Sequence, residues 1–394
     1  MDKVVIAGAK RTPIGKLGGQ FAQLSAVDLG TAAAKAAVAS SGIDADLIDQ
    51  AVFGNVLQAG SGQNVARQIA LNTGMSVTST AMTINEVCGS GLKAVRLGQA
   101  AIAMGDAEVV LVGGTESMSQ APFLANIRFG QTIGNAPLVD SMVHDGLTDS
   151  FSHKHMGLTA ENVAETFHID REIQDAFAAE SQHKAATATA AGWFDGEITP
   201  VTVYDRKGRA QTITKDEGIR PDTTPEILAH LKPSFKADGT VTAGNASGIN
   251  DGASALILMS ESKAKALGIP YLATIDDFVE VGIDPAIMGY SPVMAIEKLL
   301  QKQADQPEDI DLYEINEAFA SQSVAVARDL KLPSDRINVA GGAIALGHPI
   351  GASGARILTT LLYQLKRTNQ ITGLAALCVG GGLGVAMKVS RNEG

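Results

Sequence analysis

The stretch "CGSGLKAV", residues 88–95, returns in altered form as "GASGARIL" at residues 351–358. Each copy has Ser-Gly, a basic residue two positions later, and then a helical pattern. Further along, "VVLVGG" (109–114) is echoed by "AALCVGG" (375–381). Taken together, the echoes read as two similar layered α/β halves. They place Cys88 and the loop before Gly351 at equivalent strand-to-helix turns, facing each other near a pseudo-twofold axis. Turns at the ends of strands are where ligands bind in open α/β sheets.

Working outward, local signals agree with that class. "KVVIAGA" is a short apolar run of strand type, and "QAVFGNVLQ" is another. Between them "SAVDLGTAAAKAAVASSG" reads as a helix, with Ser25 and Asp28 as a capping box and Gly42 just past its end. The helix after Cys88 runs to about Gly105, and "AEVVLVGG" follows as a buried strand. Alternation of this kind means a layered sheet with helical crossovers. From about residue 120 to 242 the texture is more polar and holds the only tryptophan and a helix between Asp170 and Gly192. That stretch reads as a loop-domain insertion in the first half, acting as a lid or ligand-binding excursion. The expected organisation is residues 1–119 as the first part of the N-terminal half, 120–242 as the loop domain, 243–270 completing that half, and 271–394 as the C-terminal half.

Bulk properties bound the function. The 394 residues carry 45% hydrophobic and 19% charged side chains, enough apolar matter for a large core. A net charge of −11 argues against general binding to nucleic acid or a membrane surface. An anionic small ligand needs only a local positive patch or a helix N-terminus. Two cysteines build no disulfide framework, and the N-terminal stretch lacks the apolar core of a signal peptide. A cytoplasmic protein is the expectation.

Four motifs carry candidate chemistry. Cys88 stands at the start of a helix, where the helix end favours a thiolate; the plain alternative is a small buried side chain. His348, in "GGAIALGHPIGASGAR", stands among glycines and small apolar residues just before a helix, where it can act as hydrogen-bond donor or general base. Asn316, in "YEINEAFASQS", ends an apolar strand and serves either as a helix cap or as a holder of water or a substrate oxygen. Cys378 closes a strand and precedes three glycines, whose backbone N–H groups can approach a ligand closely, as an oxyanion hole requires. "GGGLG" does not complete a dinucleotide fingerprint, and no G-x-S-x-G pentapeptide occurs. His153 and His155 lack further ligands at zinc spacing, so no metal is assigned. A cysteine hydrolase built on Cys88 and His348 alone leaves Cys378 and the long excursion unexplained.

Read together and in order, "NEVCGSG", "HMGLTAENVA", "GNASGINDG", "NEAFA", "GGAIALGHPIGASGAR" and "CVGGGLGVAM" resemble the thiolase family over essentially the whole chain. The resemblance implies the thiolase fold, with αβαβα layers and residues 120–242 serving coenzyme A. It implies Cys88 as the nucleophile that takes the acetyl group, His348 as its activator, and Cys378 as the acid/base for the second substrate. Asn316 would hold a water in one oxyanion hole with His348, and the N–H groups of Cys88 and Gly380 would form the other. Ser247 would contact the pantetheine, with Leu147, His155, Met156, Phe235, Ala243, Ala246, Met288 and Phe319 along that channel. Arg220 would lie near the nucleotide, and Ile227 stands where relatives often have a small polar residue. Coenzyme A thioesters are then substrates, with no separate cofactor, and the implied assembly is a homotetramer built as a dimer of dimers. The leading activity is condensation of two acetyl-CoA molecules to acetoacetyl-CoA. The alternatives are a degradative thiolase of broader chain length and a non-catalytic thiolase-like lipid binder; a binder has no use for both thiols.

Overall fold

The computed structural model describes residues 2–392. Its centre is a mixed sheet in which β1 (Val4–Arg11) and β11 (Ala273–Gly282) form the seam between two half-sheets. In the first half, β1 pairs antiparallel with β10 (Asn250–Ser260) and β10 antiparallel with β5 (Val109–Ser117). β5 then runs parallel to β3 (Gln50–Gly54), which is parallel to the edge strand β4 (Thr80–Ile84). The second half repeats the pattern with β11, β14 (Leu383–Arg391), β13 (Thr372–Val379) and β12 (Leu312–Ile315). A short strand, β2 (Gly15–Lys16), joins the edge of β10.

Helices follow the same repeat. α1 (Ala26–Ser41), α2 (Val65–Thr73) and α3 (Ser90–Met104) lie between strands of the first half. α8 (Ser291–Gln303), α9 (Ala320–Asp329), the single turn α10 (Ala343–Leu346) and α11 (Ser353–Thr368) do so in the second. Side chains alternate along each strand, so each half-sheet feeds two cores. Val5 and Ala7 of β1 pack with α1, α2 and α7 (Glu261–Leu267) on one side, whereas Val4 and Ile6 join α3 and α11 on the other. Ala376 and Ala386 face α8 and α9, and Leu377 and Val385 face the α3–α11 layer. The layers are helix, sheet, helix, sheet, helix.

The Ser-Gly echo has a steric cause. A Cβ on Gly91 would lie 2.6 Å from the backbone nitrogen of Ala355, and a Cβ on Gly354 would lie 2.3 Å from that of Leu92. The two central helices therefore cross backbone to backbone at equivalent glycines. The second echo, between the Gly-Gly pairs, is out of register: Gly113 and Gly114 lie inside β5, whereas Gly380 and Gly381 lie beyond the end of β13.

Residues 118–249 leave the sheet between β5 and β10. They form a ribbon of β6 (Phe123–Leu124) and β7 (Val139–Asp140), α4 (Met156–Thr166), α5 (Arg171–Ala190), a second ribbon of β8 (Val201–Tyr204) and β9 (Ala210–Ile213), and α6 (Pro225–Ala229). α5 fills the span read from sequence, with Gly192 in the left-handed region just beyond it (φ 71°). The buried Arg11 guanidinium ties the excursion to β1, meeting Glu197 at 2.6 Å and Asp216 at 2.8 Å.

Candidate active site

Cys88 sits on a strained elbow between β4 and α3. Val87 has φ of 46°, a left-handed conformation that a β-branched residue adopts only when its surroundings enforce it. Ser90 provides the enforcement: its Oγ accepts from the Glu86 N–H at 2.8 Å and donates to the Val87 carbonyl at 2.7 Å. The expectation that the helix end favours a thiolate fails here. Burial pushes the Cys88 thiol up to about 11, against the lowering effect of the Gly380 and Cys88 N–H groups. From the ordinary 9.0 that shift is worth roughly 3 kcal/mol, more than the ~0.3–1 kcal/mol usual for a helix end.

The glycines around His348 explain its aim. Gly347 takes φ of 115°, and the His348 N–H donates to Asn250 Oδ1 at 2.9 Å. The imidazole then spans two groups, with Nε2 3.3 Å from Cys88 Sγ and Nδ1 2.5 Å from Ser353 Oγ. Ser353 donates its only hydroxyl proton to the Pro349 carbonyl at 2.9 Å. It can therefore only accept from His348, which puts the ring proton on Nδ1 and leaves the Nε2 lone pair facing the thiol. Burial, helped by the charge of Arg356, pulls His348 down to about 4. Cys88 and His348 meet as thiol and neutral base.

Asn316 follows β12 and is fully buried, with Nδ2 3.5 Å from His348 Nε2. Its Oδ1 is buried without a hydrogen-bond partner among the described residues, which fits the amide for holding a water. Cys378, near the end of β13, is fully buried beside Met288 and Ala318. Burial and the nearby Cys88 both push its thiol upward. After it, Gly381 and Gly382 take φ of 86° and 82°, turning the chain so that the Gly380 N–H meets Cys88.

An apolar cavity of about 350 Å³ opens beside Cys88 and His348. Cys88, His348, Gly380, Leu147, His155, Met156, Phe235, Ala243, Ala246, Ser247, Met288 and Phe319 all line it. Phe235 anchors one wall, stacked on His155 with ring centres 4.7 Å apart and edge-on to Phe319 at 6.5 Å. Asn316 and Cys378 stand behind that lining. Arg220 lies in an adjoining recess of about 320 Å³ with Lys16 and Gln182, and the two spaces share Ala243 and Ala246. Ile227 is exposed on α6 and touches neither space. Among the described residues no cluster of His, Cys, Asp and Glu is placed to hold a metal ion, and no helix is long and apolar enough to cross a membrane.

Sequence reasoning missed Ser353 and Glu116. Ser353 was visible as half of the echo, but its bond to His348 was not. Glu116 carried no motif at all, since its partners lie on two distant segments, 55–57 and the turn at Gly351.

Comparison with known proteins points one way. The model "Thiolase, N-terminal domain" matches residues 4–262 and "Thiolase, C-terminal domain" matches 269–391. A Staphylococcus aureus (strain COL) protein named "Probable acetyl-CoA acyltransferase" is 54% identical over 392 residues, 99% of this chain and 100% of that one. The crystal structure of the Bacillus anthracis acetyl-CoA acetyltransferase superposes with TM-score 0.97 at 43% identity, covering 100% of this chain and 99% of its own. Human mitochondrial 3-ketoacyl-CoA thiolase in complex with CoA gives 0.96 at 44% identity, covering 99% and 98%.

Proposed function

The chain belongs to the thiolase family and is an acyltransferase, and from that premise we propose that it condenses two acetyl-CoA molecules reversibly to acetoacetyl-CoA and coenzyme A, carrying the first acetyl group on Cys88. The observation that supports this most is the Cys88 thiol 3.3 Å from the unprotonated Nε2 of His348, beside a second buried thiol.

His348 Nε2 takes the Cys88 proton as Sγ attacks the thioester carbonyl. The developing oxyanion falls to the N–H groups of Cys88 and Gly380, each such donor being worth roughly 3–4 kcal/mol. The carbon–sulfur bond to coenzyme A breaks, and the leaving sulfur takes its proton from Cys378. That leaves acetyl-Cys88, a Cys378 thiolate and a His348 protonated on both nitrogens. Cys378 then removes an α-proton from the second acetyl-CoA; the burial that makes its thiol a weak acid makes its thiolate a strong base. The enolate oxygen is met by His348 Nε2–H and by a water on Asn316. The enolate carbon attacks acetyl-Cys88, and the departing Cys88 sulfur recovers its proton from His348. Each enzyme group ends the cycle protonated as it began, the α-proton of the second substrate having replaced the one that Cys378 gave to coenzyme A, so the cycle runs in either direction.

Ser247, His155 and Phe235 would flank the pantetheine and Arg220 the nucleotide. No cofactor enters beyond coenzyme A itself. We read the protein as a cytoplasmic homotetramer, which the exposed Phe123, Phe129, Ile133 and Leu138 of the β6–β7 segment support. A degradative thiolase would use the same residues, and relatives of both kinds match equally well. Met288 and Met156 in the cavity wall favour the short-chain reading. Acetoacetyl-CoA is then cleaved with kcat/KM at least about tenfold above that for 3-ketooctanoyl-CoA; equal values along the series would favour the degradative reading.

A further inference from the structure

The starts of the two central helices meet beside the site. Ser90 and Ser353 open α3 and α11, which puts Gly351 in the place of Cys88. The reacting Cys88 thus has a non-reacting counterpart, Gly351.

Glu116 clamps that counterpart. Glu116 is fully buried, and both its oxygens are occupied. Oε1 accepts from Asn55 Nδ2 at 2.8 Å and Leu57 N–H at 3.1 Å. Oε2 accepts from Val56 N–H at 3.0 Å and Gly351 N–H at 2.8 Å. All four partners are donors, so only a carboxylate satisfies them. The Gly351 carbonyl is seated against the sheet, 2.8 Å from where a Cβ on Gly54 would lie and 2.1 Å from one on Gly114. Gly351 stands between His348 and Ser353 on the segment that delivers the base.

We propose that Glu116 is a positioning residue for the acyl transfer: it docks the His348–Ser353 segment of the second half onto the half that carries Cys88, and so sets the distance between thiol and base. The proposal rests on the reading of Cys88 as acyl acceptor. A glutamine at 116 must turn an amide NH₂ toward one pair of N–H donors, whichever way it is placed, while an aspartate keeps four acceptor sites on a shorter arm.

The test follows acetylation of Cys88 by acetyl-CoA in full-length wild type, Glu116→Gln and Glu116→Asp. Single-turnover mass measurement, steady-state KM and thermal unfolding are read on each. Displacing the base slows acetylation about a hundredfold in Glu116→Gln and about tenfold in Glu116→Asp, with KM for acetyl-CoA within about twofold. A folded variant that acetylates at the wild-type rate, or a loss confined to KM, overturns the proposal. If Glu116→Gln fails to fold, Glu116→Asp decides on the same readings. Failure of the wild-type protein to acetylate at Cys88 would instead strike the underlying reading, so the two failures are told apart.

Discussion

Cys88 and His348 meet with neither group charged, because burial penalises thiolate and imidazolium alike. The thiol is pushed up to about 11 and the imidazole down to about 4, so the productive thiol–base couple holds between those values. Below the lower one His348 is protonated and cannot take the proton; above the upper one the thiol has already lost it. The acetylation rate is therefore flat between about pH 5.5 and 9, with no inflection near the ordinary histidine value of 6.5. Rapid-quench measurement of acetyl-enzyme across that range checks this, and a rise through a midpoint near 6.5 would show a solvated histidine instead. At this scale the sequence made the candidate groups legible, since Cys88, His348, Asn316 and Cys378 each stand in a motif and the fold gathers them at one place. Their protonation states were not legible. The helix start beside Cys88 signals a favoured thiolate, but desolvation is the larger energy and depends on what the rest of the chain lays over the site. Ser353 and Glu116 escaped for a related reason: each acts through hydrogen bonds that only the folded chain assembles.

Among the elements, the crossing of α3 and α11 carries the most consequence, because Cys88 precedes one helix and the His348 segment precedes the other. An added methyl at Gly354 would meet the Leu92 nitrogen at 2.3 Å, a backbone atom with no rotamer to swing aside. Gly354→Ala is expected to cost about 2–3 kcal/mol of stability and to slow acetylation by prying the helix starts apart. Urea unfolding with a parallel burst measurement tests it; wild-type stability with wild-type burst would mean the helices do not cross as closely as described. Helices with capping signals were readable in advance, and α1 has the Ser25–Asp28 box and the left-handed Gly42. The Gly-Gly echo misled because a glycine pair recurs wherever backbone approaches backbone, whereas strand register is set by pairing across the sheet.

At the scale of the molecule, two halves of similar path meet at the candidate site and diverge at the matching helix starts of Cys88 and Gly351. The first half contributes Cys88 and keeps Glu116 as an anchor; the second contributes Cys378, Asn316 and His348 and keeps Gly351 as the anchored turn. The αβαβα order follows from strands that feed a core on each face; alternation and echo in the sequence implied two layered halves, and the order of the layers came with the family resemblance. The central claim is the division of labour between the thiols, and peptide mapping after acetyl-CoA treatment of wild type and Cys378→Ala tests it most directly. The account predicts one acetyl group on the Cys88 peptide in both proteins, with acetoacetyl-CoA formed only by the wild type. A stable acetyl group on Cys378 in the wild type, or full condensation by Cys378→Ala, would contradict it.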